Sequence, residues 1–222
     1  MKKFLRKYLD FYKFYKHSKQ SSFDSKKYWE SRYLNGGNSG SGSYGHLAMF
    51  KANVLNDFVE KNQINSVIEF GCGDGNQLNL ANYPKYLGYD VSRKAIEICS
   101  ERFAKDPTKK FKLLTNLQNI KEQAQLCLSL DVLFHLVEYD VFDAYMKALF
   151  KSSTNYVIIY ASNREFQMAD HVKSRDFTKW ITNNFGNEWK LLRIIENQFP
   201  YDENKPYDTS FSDFFFYSKL NF

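Results

Sequence analysis

The sequence predicts an α/β fold, an open and mostly parallel sheet with helices on both faces. Three observations carry that expectation. The stretch VIEFGCGDGNQL, residues 67–78, reads as a strand, a glycine turn and a helix start, the front half of a nucleotide-binding βαβ unit. A second strand-like run, YLGYD, ends in Asp90, 21 residues after Glu69. That matches the spacing of about 20 residues expected for an acid that accepts ribose hydroxyls. Beyond Asp90, short β-branched and aromatic runs alternate with segments of helical periodicity to the end of the chain.

From the N-terminus, residues 1–20 place Phe4, Tyr8, Phe11 and Tyr15 at helical spacing among Lys2, Lys3, Lys7, Lys13 and Lys16. A basic aromatic helix of this kind suits an anionic membrane surface; docking on its own domain or a partner chain is the alternative. Residues 26–33 predict a short helix with Tyr28, Trp29 and Tyr33. NGGNSGSGSYG, residues 35–45, holds five of the ten glycines and excludes helix. It reads either as a linker or as a mobile loop that orders over a ligand. Residues 46–61 predict a helix burying Phe50, Val54, Leu55 and Phe58, which would turn Tyr44, His46 and Lys51 toward the ligand. Residues 1–20, 21–63 and 64–222 thus divide into a basic helix, a cover and the main domain.

The glycine turn, with Gly71, Gly73 and Gly75, calls for positive φ and close approach of a ligand to bare backbone. A helix starting at Leu78 and Leu80 would then offer N–H groups to an anionic group. Residues 93–103 predict a helix capped by Ser92. Residues 111–115 read as the third strand, 124–130 as the fourth, 141–150 as a helix and 156–160 as a buried strand. Residues 161–174 read as a loop carrying Asn163, Arg164, His171 and Lys173. Residues 175–185 predict a helix, and 189–196 and 211–220 two final strands.

The net charge of +6 is confined to residues 1–20, which hold seven Lys/Arg and one acid; the rest of the chain holds 24 basic and 24 acidic residues. A neutral body is not a nucleic-acid binder. Cys72, Cys99 and Cys127 show neither CxxC nor metal-ligand spacing, and an odd cysteine count without a secretion signal reads as reduced and cytoplasmic. No metal site is expected. No apolar run approaches the length of a membrane span.

The glycine motif separates two nucleotide chemistries. A dinucleotide fingerprint needs glycine where Asn76 stands; here the third glycine comes one residue early, and an acid lies two residues before the first. E-F-G-C-G-D-G resembles the first motif of class I S-adenosylmethionine-dependent methyltransferases. The resemblance implies a Rossmann-like seven-stranded sheet of order 3-2-1-4-5-7-6 with the last strand antiparallel. It implies S-adenosylmethionine as donor and S-adenosylhomocysteine as product. Glu69 would reach the donor's amino group and residues 71–75, including Cys72 and Asp74, would pack on its methionine part. Asp90 and Val91 would hold the sugar, Asn116 and Leu117 the adenine. No carboxylate stands at the end of the third strand for the adenine amino group, so Asn116 or backbone would take it. DVLFHLVE, residues 131–138, resembles the family's motif after strand four and puts Asp131 and His135 on the floor of the site.

A narrower likeness rests on SGSGSYGHLAMFKANVLNDFV, IEFGCGDGNQL, DHVKSRDFTKWI and TSFSDFFFY. These are similar to small methyltransferases of bacterial capsule and surface-polysaccharide gene clusters, some associated with O-methyl phosphoramidate decoration. The acceptor would then be a phosphoramidate or phosphate-type oxygen on a nucleotide- or sugar-linked small molecule. An anionic oxygen wants cations, for which Arg164, Lys173 and Arg175 are candidates. A hydroxyl wants a base, for which His135 and His171 are candidates. A non-catalytic donor-binding scaffold is the competing class, and a nicotinamide oxidoreductase is disfavoured by Asn76.

Overall fold

A computed structural model describes residues 23–220 of the chain. The basic segment 1–20 read above as a helix lies outside the described residues.

Seven strands form one sheet: β1 (Val67–Phe70), β2 (Tyr86–Asp90), β3 (Lys109–Leu113), β4 (Ala124–Leu130), β5 (Ser153–Ala161), β8 (Trp189–Ile195) and β9 (Asp213–Lys219). Their order is β3-β2-β1-β4-β5-β9-β8. The first five are mutually parallel, and β9 runs antiparallel to both β5 and β8. This is the predicted Rossmann-like topology, renumbered because a hairpin, β6 (Phe166–Ala169) with β7 (Val172–Ser174), fills the stretch expected to be loop.

Among the described residues, five helices accompany the sheet: α1 (Ser25–Leu34), α2 (Gly45–Lys61), α3 (Arg93–Arg102), α4 (Tyr139–Lys151) and α5 (Phe177–Phe185). One core layer joins Phe142, Tyr145, Met146 and Leu149 of α4 and Phe177, Trp180 and Ile181 of α5 to the strands. The opposite layer joins Leu55, Phe58 and Val59 of α2 and Cys99 of α3 to the other sheet face. Burial on both faces is why β4 and β5 read as continuous apolar runs.

The helix expected after the glycine turn does not form. Residues 78–80 make one 3-10 turn, and the chain passes through Pro84 into β2. The turn itself consumes most of the connection, leaving too few residues for a helix of several turns and the return. The layer it would have filled is occupied by α2, which arrives from before β1 and packs beside residues 78–80. Of the four apolar positions predicted to bury on α2, Leu55 and Phe58 are fully buried and Phe50 and Val54 partly so. Among the described residues no helix is long and apolar enough to cross a membrane.

Candidate active site

Parallel strands all end on one edge of the sheet, and the loops leaving that edge enclose a cavity of about 280 Å³. Its wall takes Gly71–Gly73 after β1, Asp90 and Val91 at the end of β2, residues 114–117 after β3, and residues 130–132, His135 and Leu136 after β4. Trp29 and Tyr33 of α1 and Lys51 of α2 also line it, as do Glu69, Gln77, Glu138, Val141 and Tyr145.

Glu69, the third residue of β1, is buried and accepts a 2.6 Å hydrogen bond from the Tyr86 hydroxyl. Burial raises its carboxyl to about 7, against the lowering effect of Tyr86 and of the Lys51 charge. Asp90 is buried as well and accepts from the backbone N–H of Gly73 (2.9 Å) and Ser92 (2.8 Å). Burial lifts it to about 6, offset in part by those same bonds. Through Gly73 N, the acid of β2 holds the glycine turn of β1 in place, so the two strand tips form one unit. Ser92 caps α3 as predicted, accepting from Ala95 N at 3.1 Å.

The glycines are required by geometry. Gly73 has φ +57°, and a Cβ there would lie 2.2 Å from Ser39 Oγ and 2.9 Å from the Tyr33 hydroxyl. Gly71 has φ +88°, and its Cβ would meet Val132 at 2.5 Å. The turn therefore sits directly under the segment joining α1 to α2. Asp74 and Tyr44, expected to touch donor and acceptor, instead fasten that cover. Asp74 accepts from Tyr44 Oη (2.6 Å), Ser39 N (3.1 Å) and Asn76 N (2.9 Å), and neither Asp74 nor Tyr44 lines the cavity. Burial of Asp74 acts upward on its pKa, but these bonds outweigh it and leave the carboxyl below its ordinary value. Asn76 Nδ2 adds a bond to Ser43 O at 2.7 Å. The Gly/Ser-rich stretch is thus a cover clasped onto the glycine turn.

Lys51 is almost fully buried, lies 2.6 Å from Asp131 Oδ2 and stands over the Tyr160 ring. Asp131 adopts a left-handed φ of +57° and accepts from Ser212 Oγ at 2.9 Å. A non-glycine residue in that conformation marks a locally strained site. Both residues line the cavity.

His135 lines the cavity too, with Nδ1 3.0 Å from the carbonyl of His171. A carbonyl only accepts, so Nδ1 carries the proton and Nε2 the lone pair. Burial lowers its pKa to about 4, so the ring is neutral at pH 7. His171 does not line the cavity; its ring stacks on Tyr28 at 4.8 Å and its carbonyl holds His135. Arg175 is likewise drawn elsewhere: its guanidinium donates to the carbonyls of Leu136 and Val137 and lies over Phe142. It holds the loop after β4 and does not line the cavity. His46 bonds Asp208 O at 2.8 Å on an exposed surface, and Arg164 is exposed outside the cavity, so neither sits where a substrate role was expected.

Asn116 and Leu117 are in the wall, but the Asn116 Oδ1 accepts from Gln118 N at 2.8 Å and caps its own 3-10 turn. Residues that sequence reasoning passed over include Trp29, Tyr33, Gln77, Glu138 and Tyr145. Tyr145 bonds Phe70 O (2.9 Å) and Ser129 Oγ (2.8 Å), tying the ends of β1 and β4 together. Glu138 closes the DVLFHLVE stretch; its acid type was the available signal. Trp29 and Tyr33 stand on a helix with no apolar periodicity pointing at a cavity, so nothing in the sequence marked them.

No model of a known protein family matches the chain, and no curated protein matches it in sequence. Solved structures do match in fold. The N-methyltransferase NodS from Bradyrhizobium japonicum WM9, in complex with S-adenosyl-L-homocysteine, is similar over 90% of this chain and 100% of that one, at 13% identity and TM-score 0.68. Magnesium protoporphyrin IX methyltransferase (ChlM) from Synechocystis PCC 6803 with bound SAM is similar over 91% and 100%, at 15% identity and TM-score 0.63. The methyltransferase domain of bacterial CtHen1 gives 77% and 97% coverage, 18% identity and TM-score 0.58. The chain therefore has the Rossmann-like fold of these methyltransferases.

Proposed function

We propose that the protein is an S-adenosylmethionine-dependent methyltransferase acting on a small-molecule acceptor, with residues 21–63 as the cover of domain 64–222. One observation carries the reading: a cavity at the carboxyl edge of β1, β2 and β4, walled by glycine-turn backbone and by the buried carboxylates of Glu69 and Asp90. The partly buried Asp131 and Glu138 also line it, as does the half-exposed Asp24, which pairs with Lys27; of the lining cations Lys26 and Lys51, Lys51 is spent on Asp131. Such a wall fits a ligand bearing a sulfonium and an ammonium charge. Buried polar oxygens without a partner among the described residues, Gln77 Oε1 and Glu138 Oε2, also fit a ligand that supplies N–H or O–H groups.

S-adenosylmethionine supplies a methyl group already activated on a sulfonium sulfur. The chain then has to align and exclude water, which can supply roughly 7–11 kcal/mol of the barrier. Asp90 would take the ribose hydroxyls, the Gly71–Gly73 backbone and Glu69 the amino-acid part, and Val91 and Leu117 would flank the base. Tyr33 and the clasped 39–44 segment close the site over the turn.

For the acceptor, the likeness to capsule-cluster methyltransferases supports a capsular or surface-polysaccharide precursor carrying a phosphoramidate or phosphate-type oxygen, which needs no base. Lys26 lines the cavity, and Arg32 lies over the ring of Trp29, itself a lining residue, at 5.5 Å. A sugar or other hydroxyl is the second reading, favoured by a neutral His135 whose Nε2 keeps its lone pair. A His135→Gln variant separates the two: transfer to a hydroxyl falls roughly 10²–10⁴-fold, while transfer to an anionic oxygen holds.

Titration calorimetry with S-adenosylhomocysteine tests the class. Saturable binding that Asp90→Ala abolishes is the expected result; absence of binding by the intact chain would remove the reading.

A further inference from the structure

We infer that Glu138 reads the base of the donor nucleoside, accepting its exocyclic amino group on Oε2; this rests on the donor reading above. Glu138 precedes α4 at the cavity wall. One carboxylate oxygen is engaged: Oε1 accepts from Ser25 N at 2.9 Å and Ser25 Oγ at 3.3 Å. The other, Oε2, is buried and has no partner among the described residues. A desolvated carboxylate oxygen facing a cavity is a position prepared for a donor group from a ligand.

Which donor group follows from the neighbours. The helix α4 packs against the 117–119 turn after β3, and Glu138, Val141, Asn116 and Leu117 line the same cavity as Asp90. The cavity wall carries the apolar side chains of Val91, Leu114, Leu117, Leu136 and Val141, which suit a flat heterocycle. Asn116 has spent its side-chain oxygen on Gln118 N, so its remaining amide is a donor, the wrong polarity for an amino group. Glu138 supplies the side-chain carboxylate that the end of β3 lacks. Because the same side chain holds Ser25, recognition of the base and seating of α1 over the cavity share one residue.

The amide variant makes a sharp test. In Glu138→Gln the side-chain oxygen is held by Ser25 N, which can only donate, so the NH₂ takes the place of Oε2. An acceptor becomes a donor, unfavourable to a 6-amino purine and favourable to a 6-oxo purine. Calorimetry would compare S-adenosylhomocysteine with its inosine analogue on the full chain. The wild type should prefer the adenine compound by roughly ten- to a hundredfold, the range of one charge-assisted hydrogen bond. Glu138→Gln should erase or invert that preference. Asn116→Ala should keep it, and decides the matter should Glu138→Gln not fold. Equal affinity of the wild type for both bases, an unchanged preference in Glu138→Gln, or its loss in Asn116→Ala would each overturn the inference and leave the donor reading standing. Failure of the wild type to bind either compound would overturn the donor reading, and this inference with it.

Discussion

Glu69 is a carboxyl held in the protein against its own solvation, and replacing it with glutamine should stabilise the free protein while weakening the complex. Its folded pKa is raised from 4.5 to about 7 by burial. A raised pKa means the folded state binds the proton more tightly than the unfolded state. The stability this contributes is therefore complete below about pH 4.5 and is lost as pH rises through about 7. The shift corresponds to roughly 3 kcal/mol at pH 8, at about 1.4 kcal/mol per unit. Glutamine keeps an oxygen for the Tyr86 hydroxyl and carries no charge. Glu69→Gln should thus match the wild type near pH 4.5 and melt about 6–12 °C higher at pH 8. Asp90 titrates in a neighbouring range in both proteins, so its effect largely cancels in the difference. Circular-dichroism melts at half-unit intervals from pH 4.5 to 8.5 would show the gap opening with pH. A constant gap, or a variant less stable than the wild type at pH 8, would refute the reasoning. Affinity for S-adenosylhomocysteine should fall roughly ten- to a hundredfold in the same variant, since one charge-assisted bond is removed.

Two further outcomes follow from the cover and the floor of the site. Gly73→Ala places a Cβ at a left-handed φ and 2.2 Å from Ser39 Oγ. It should cost at least about 1–2 kcal/mol in urea denaturation and weaken donor binding; an unchanged midpoint would contradict the packing described. Lys51→Met leaves Asp131 in a largely buried setting without its cation. It should destabilise by up to about 3–5 kcal/mol, and adding Asp131→Asn should restore most of the loss, as read by denaturant titration of the single and double variants.

The sheet was legible because its strands are buried on both faces and because glycine, aspartate and their spacing report a βαβ unit directly. β4 matched residue for residue, since its apolar run is bounded by polar chain on both sides. β3 is shifted by two residues because Lys109, Lys110 and Lys112 dilute the apolar signal on an edge strand. The missing helix after the glycine turn was not legible: Leu78 and Leu80 mimic a helical start, and only the length to β2 argues otherwise. In the site, Asp90, Asp131 and His135, read from motifs, and Lys51, read from the helix before β1, lie on the cavity wall. Asp74, Tyr44, Arg175 and His171 lie off the cavity wall, because a polar residue near a site has two outlets, ligand or backbone. Each of these is engaged by chain distant in sequence. Arg175 reaches carbonyls of residues 136 and 137, and Tyr44 reaches Asp74 across 30 residues. Glu138 went unnoticed because nothing local says that one of its oxygens is paired and the other is not.

The most direct measurement is a crystal structure of the protein grown with S-adenosylhomocysteine. The expected arrangement puts the ribose hydroxyls on the Asp90 carboxylate, the amino-acid portion against the Gly71–Gly73 backbone and Glu69, and the base between Val91 and Leu117. A ligand bound elsewhere on the molecule, or one in this cavity with its sugar away from Asp90, would contradict it.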